Sequence, residues 1–207
     1  MANGFNLFES ILWTPEQGYF LLDRHLARLE RSAEHLGFRV DLAEVDARLA
    51  QFASELQRPR KVRLIVAGDG ELSIQEEDLK PSSPVRLAIA NEPVDRSNPF
   101  LQHKTSRREV YERALAAHPE AQDVVLWNQQ REITETCTAN LVLEIDGGRL
   151  TPMESAGLLP GTFRAQLLDD GEIEETCLTV DDLHHADKIY LINSVRRWCD
   201  AHLIESR

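Results

Sequence analysis

A change of period at residue 22 constrains this chain more than any other feature. Before it, "FNLFESILW" and "YFLLD" are β-rich runs separated by "TPEQG", whose proline and glycine suit a turn, so the N-terminus reads as a hairpin. From there Leu22, Leu26, Leu29, Ala33 and Leu36 recur at helical spacing, and Gly37 is a natural stop. A helix with one apolar face that follows a hairpin packs on the sheet the hairpin begins. "LAEVDARLAQFASEL" reads as a second helix, "KVRLIVAGDGELSIQEE" as a hairpin closed through Gly-Asp-Gly, and "VRLAIANEP" as another strand, so the first half is α+β.

"PVDRSNPFLQHK" has two prolines and no period, which makes it the linker and divides the chain into domains 1–94 and 95–207. Beyond it come a helix at "SRREVYERALAAH", a strand at "DVVLW", a turn at "NQQRE" and a hairpin, "NLVLEIDGGRLTP", closed through Asp-Gly-Gly. A short helix at "GTFRAQLLDDG" and a strand at "ADKIYLINS" follow.

Of 207 residues 42% are hydrophobic, enough for one large core or two small ones, and the formal charge of −12 without a basic block disfavours nucleic acid and anionic membranes as partners. Cys137, Cys177 and Cys199 are odd in number and show no zinc-site grouping, so no metal is expected and a reducing cytoplasm fits. No apolar run reaches the roughly 20 residues of a membrane helix, and the N-terminus lacks the pattern of a secretion signal.

Four features could carry chemistry, and each has an ordinary alternative. Lys104, beside the linker, reads on composition alone as a solvated surface charge. Glu135 lies among β-branched and small residues in "DVVLWNQQREITETCTANLVL"; alternation puts it on one side with Ile133 and Cys137 if the segment is extended, either on an exposed strand face or in a site. In "LLPGTFRAQLL" the N–H groups of Gly161, Thr162 and Phe163 open a helix, an arrangement that caps a turn or holds phosphate. Arg28 stands beside the apolar stripe of the first helix, where it either snorkels along the core edge or binds an anion.

Taken in order, "LFESILW", "LLDRHLARLERSAEHLGF", "KVRLIV", "HKTSRREVY", "DVVLWNQQREITETCTANLVL", "LTPMESAGLLPGTFRAQLL" and "ADKIYLINSVR" resemble the class IV aminotransferases, the fold-type IV enzymes that use pyridoxal 5′-phosphate (PLP). The resemblance spans nearly the whole chain. It implies a small N-terminal α/β sandwich, a larger barrel-like C-terminal α/β domain carrying the Schiff-base lysine, and a homodimer. It assigns Lys104 as the catalytic residue that forms the Schiff base and moves the proton at the substrate's amine-bearing carbon. Glu135 would face the pyridine nitrogen, supported by Asn140, while Arg28, Gly161, Thr162 and Ser194 would hold the phosphate. Arg63 falls where some members bind the substrate carboxylate, and Ser10 could replace a hydroxyl that some lyases carry on the first strand. Where many relatives read Gly-x-Thr-Arg, this chain has Gly161-Thr162-Phe163-Arg164, which shifts the threonine hydroxyl or removes it from the phosphate. Within the family, the resemblance is to 4-amino-4-deoxychorismate lyases, which release 4-aminobenzoate and pyruvate for folate synthesis. The alternatives are a branched-chain or D-amino-acid aminotransferase and a catalytically silent protein of the same fold.

Overall fold

The computed structural model describes residues 4–81 and 83–204. Two compact units account for them: one runs up to Pro81 and takes in His103–Arg107, and the other comprises residues 83–102 and the chain from Arg108 onward.

The first unit is built on a four-stranded antiparallel sheet. Strand β1 (Leu7–Thr14) turns into the short β2 (Gly18–Tyr19), helices α1 (Leu22–Leu36) and α2 (Leu42–Ala53) follow, and the hairpin β3 (Arg60–Val66) and β4 (Leu72–Glu77) completes the order β2-β1-β3-β4. The pleat of β1 sends Leu7, Ile11 and Trp13 into a core with Leu29 and Ala33 of α1, Val45 and Leu49 of α2, and Val62, Leu64 and Val66 of β3. Gly37 ends α1 in the left-handed conformation at φ 71°, where an L side chain would be strained.

His103–Arg107 join this sheet through the main chain. Leu7 and Thr105 form an antiparallel bridge, Phe8 N–H donates to the Lys104 carbonyl at 3.1 Å, and Ser106 N–H donates to the Asn6 carbonyl at 2.9 Å. The segment therefore lines the edge of β1 ahead of the helix predicted to begin at residue 106.

The second unit begins with β5 (Val85–Ile89), the short helix α3 (Pro99–Gln102), α4 (Glu109–Ala117), β6 (Asp123–Trp127), β7 (Ile133–Thr136), β8 (Asn140–Ile145) and β9 (Gly148–Pro152). A 3-10 turn (Glu154–Ala156), α5 (Thr162–Asp169), β10 (Glu174–Thr176), α6 (Val180–His185), β11 (Lys188–Asn193) and β12 (Arg197–Leu203) complete it. Its eight strands run in the order β10-β9-β8-β11-β12-β5-β6-β7, with β9/β10, β12/β5 and β5/β6 parallel. The sheet curls. Ile133 N–H of β7 reaches the Leu178 carbonyl at 2.8 Å and Val180 N–H reaches the Arg131 carbonyl at 3.2 Å, tying one edge strand to the chain just beyond the other. This is the barrel-like architecture that the resemblance implies.

After Asp123, β6 is apolar because both its faces are covered. Val125 points into the core inside the curl with Leu87, Ile133, Leu141 and Leu191, whereas Val124 and Leu126 pack with Tyr111 of α4 on the other side. The expected boundary at residues 94 and 95 falls inside this unit, since β5 hydrogen-bonds between β12 and β6 and passes to the second unit with them.

Candidate active site

In the first unit Lys104 is half-buried, with its Nζ 4.8 Å from the centroid of the Phe8 ring. The guanidinium carbon of Arg63 lies 4.2 Å from the same centroid. One aromatic ring thus has both basic groups against it, contacts the ring quadrupole favours. Register sets it up: Ser10 pairs with Arg63 across β1 and β3, and Phe8 precedes Ser10 by two residues on the same face. Arg63 Nε is buried without a hydrogen-bond partner, as a donor awaiting an anionic ligand would be.

Arg28 is not a snorkelling edge residue. It is 5% exposed and grips Glu9 with two hydrogen bonds, Nε to Oε1 at 2.9 Å and Nη2 to Oε2 at 2.5 Å, while His25 Nδ1–H donates to Oε2 at 2.6 Å. Burial alone would raise the pKa of Glu9, but Arg28 and His25 overcome it and hold the carboxyl down from its ordinary 4.5 to about 2. Burial lowers the pKa of His25 and outweighs the attraction of Glu9, so the imidazole is a neutral donor. Reading the sequence residue by residue passed over Glu9 and His25, although a signal is present. Glu9 occupies a core-facing position of β1 between Leu7 and Ile11, and His25, Arg28 and Ser32 form a polar stripe at helical spacing beside the leucines.

In the second unit Glu135 is on β7 and only 4% exposed, which rules out the solvated strand face. Tyr111 of α4 donates its hydroxyl to Glu135 Oε1 at 2.7 Å. The expected sharing of one side by Ile133, Glu135 and Cys137 does not hold. β7 stops at Thr136, its pairing with β6 shifts register between Val125 and Trp127, and Ile133 and Cys137 enter different cores. The turn that follows is fixed by the buried carboxylate of Asp123, which accepts from the Thr136 and Thr138 hydroxyls and from Cys137 N–H.

Asn140 opens β8 and donates to the Leu159 carbonyl at 2.9 Å, securing the approach to α5. Gly161 caps that helix, and Thr162, its first residue, is buried. A Cβ on Gly161 would come within 2.0 Å of Asn140 Oδ1, so only glycine permits this approach. Gly161→Ala should therefore displace Asn140 and cost about 1–3 kcal/mol, measured by thermal melting without ligand. Ser194, 7% exposed, follows β11 in a turn where Arg196 Nη2 donates to the Thr138 hydroxyl at 3.1 Å. The β7–β8 connection thus gathers Asn140, the start of α5 and the Ser194 turn within one unit. Phe163 packs edge-on to Trp198, with ring centroids 6.4 Å apart.

The sequence profile described as "Amino-transferase class IV" matches residues 6–204. The chain belongs to the class IV aminotransferase family. A curated member from Schizosaccharomyces pombe, named "Putative aminodeoxychorismate lyase", is 32% identical over 96% of this chain and 90% of its own length. Among solved structures, a "Putative amino-acid aminotransferase" from Mesorhizobium loti superposes with a TM-score of 0.90 at 34% identity, covering 97% of this chain and 100% of that one. A "Putative 4-amino-4-deoxychorismate lyase" from Legionella pneumophila gives 0.88 at 25% identity, over 97% of this chain and 83% of that one. Fold-type IV architecture is common to these class IV proteins and to this chain.

Class IV aminotransferases are PLP-dependent enzymes. The donor set here fits that group: Lys104 offers an amine for an aldehyde, Glu135 a buried carboxylate for a pyridinium nitrogen, and the start of α5 a helix terminus for a phosphate dianion. Gly161, the N-cap of α5, makes no side-chain cap hydrogen bond and lets the Asn140 side chain pack against the start of the helix.

Proposed function

We propose that this chain is a PLP-dependent 4-amino-4-deoxychorismate lyase, which releases 4-aminobenzoate and pyruvate. The observation that carries this reading is the 32% identity to the Schizosaccharomyces pombe protein along almost the whole of both chains. When bound, the cofactor supplies an electron-withdrawing ring that stabilises negative charge at the substrate's amine-bearing carbon. Lys104 Nζ would anchor the cofactor, then take the proton from that carbon and pass it to the departing three-carbon fragment, which leaves as pyruvate while the substrate's own ring becomes aromatic. Glu135 keeps the pyridine nitrogen protonated. Arg28, Ser194 and the N–H groups of Gly161 and Thr162 hold the phosphate, and Asn140 keeps the start of α5 in place for them. Arg63, with its buried Nε, orients a substrate carboxylate together with the Ser10 hydroxyl. The reading includes the cytoplasmic homodimer that the family resemblance implies.

A second reading, an amino-acid aminotransferase, is favoured by the Mesorhizobium loti structure, which matches this chain over its full length. The same residues would then serve transfer of the amine to a keto acid. Two measurements separate the readings. A visible absorption band in the purified protein, trapped by borohydride on Lys104, is expected under both and would be missing from a silent homologue. Incubation with aminodeoxychorismate should then give equal amounts of 4-aminobenzoate and pyruvate; amine transfer to a keto acid without pyruvate release would replace the lyase with the transaminase.

A further inference from the structure

We propose that Tyr111 is a positioning residue for this chemistry, acting through Glu135. Its hydroxyl donates to Glu135 Oε1 and so fixes the direction in which the carboxylate presents Oε2. The inference rests on the reading of Glu135 as the partner of the cofactor's ring nitrogen.

The geometry supports it from both ends. Tyr111 is 5% exposed and Glu135 4%, so the 2.7 Å bond between them is sheltered from competing water. A buried carboxylate that receives a charge-assisted bond on one oxygen loses rotational freedom at the other. Tyr111 is itself held on several sides. Its ring packs with Val124 and Leu126 of β6 and with Leu101 of α3. The Arg108 guanidinium lies 4.4 Å from its centroid and donates to the Cys137 carbonyl, and Cys137 Sγ approaches the Tyr111 carbonyl at 3.6 Å. The hydroxyl thus ties α4 to β7, while Arg108 and the Tyr111 carbonyl tie the same helix to the β7–β8 connection. Burial, reinforced by the negative charge of Glu135, pushes the Tyr111 hydroxyl well above its ordinary pKa of 10, so it remains a proton donor throughout the working range.

The residue is seven positions beyond Lys104 and two beyond the first residue of α4. Its spacing from Lys104 puts the anchoring amine and the support of the carboxylate in one short stretch of sequence.

Tyr111→Phe removes the hydroxyl and leaves the packed ring, so the fold without cofactor should melt close to the parent. Four proteins decide the matter: the parent, Tyr111→Phe, Glu135→Gln and the double variant, each loaded with PLP and compared by visible absorption and by turnover. Tyr111→Phe should shift the absorption band and lower kcat about 10-fold at little change in KM. In the Glu135→Gln background the same substitution should alter neither, because the group it acts through is already gone. An equal effect in both backgrounds would show that Tyr111 acts independently of Glu135, and an unshifted band with parental kcat would show that it does not act at all; either result overturns the proposal. If Glu135→Gln alone leaves the band and turnover unchanged, the reading of Glu135 fails first. If Glu135→Gln acts and Tyr111→Phe does not, only the role of Tyr111 falls.

Discussion

Lys104→Ala should leave a folded protein that no longer binds PLP covalently and turns over about 10⁴-fold more slowly. The two halves of this expectation have separate physical sources. The segment is held by the Leu7–Thr105 bridge, the Phe8 N–H bond to the Lys104 carbonyl and the Ser106 N–H bond to the Asn6 carbonyl, all of them main-chain contacts that alanine keeps. The substitution forfeits the contact of Nζ with the Phe8 ring at 4.8 Å, an interaction worth about 0.5–1 kcal/mol where exposed. Melting without cofactor should therefore move by a few degrees at most. Borohydride reduction of the parent followed by peptide mapping should mark Lys104, and a label on another lysine would refute the assignment.

Arg28→Met should be the most damaging single change to the fold of the first unit. An edge arginine could lose its charge at no cost, but this one faces Glu9, which is 1% exposed. Methionine would leave that carboxylate buried with His25 as its remaining neighbour from the triad, and breaking such a buried pair typically costs about 3–5 kcal/mol. A fall in melting temperature of order 10 °C without cofactor follows for a chain of this size. Acid stability gives an independent check. The Glu9 carboxyl, held at about 2 against an ordinary 4.5, contributes stability that is fully present above the ordinary value and is lost as the pH falls towards 2. That contribution is about 3 kcal/mol in the parent and should be missing from the variant, flattening its stability profile between these pH values. Replacing Glu9 as well with leucine should recover much of the loss, because a well-packed apolar group needs no partner. If the variant melts with the parent, the triad does not stabilise the fold. In the doubly substituted protein a PLP titration isolates the role at the phosphate, where loss of a charge-assisted bond should weaken affinity about 10- to 150-fold.

The elements that could be read in advance were those whose side chains see one kind of environment. α1 shows its leucine stripe and Gly37 stop, and both long hairpins show alternation closed by glycine, so α1, β3, β4, β8 and β9 could be read directly. β12 could not: "RWCDAHL" mixes charged and apolar residues, and its strand character comes from pairing with the adjacent β11 on one side and with β5, far earlier in the chain, on the other. The domain boundary was missed for the same reason, since nothing in "VRLAI" tells which sheet will take it up. For the candidate site, resemblance supplied Lys104 and Glu135, whereas the partners of the charged residues, Glu9, His25 and Tyr111, acquire their roles only once α1 lies on β1 and α4 lies near β7. A polar residue at a core-facing position is the one trace such partners leave in a sequence, and Glu9 leaves it plainly.

The return of His103–Arg107 to the first unit has a consequence for how this protein can be taken apart. The chain passes from one unit to the other three times, after Pro81, after Gln102 and after Arg107, so no single cut separates them into autonomous modules. An excised N-terminal fragment ending at Pro81 would lose the main-chain partners of Leu7 and Phe8, and the complementary fragment would carry Lys104 in a segment without its bridge to β1. The modular unit of inheritance and of engineering is accordingly the whole chain. Grafting of either half onto another protein must bring the five-residue return segment along, and exchanges between β5 and α3 are limited by the need to deliver Thr105 to β1.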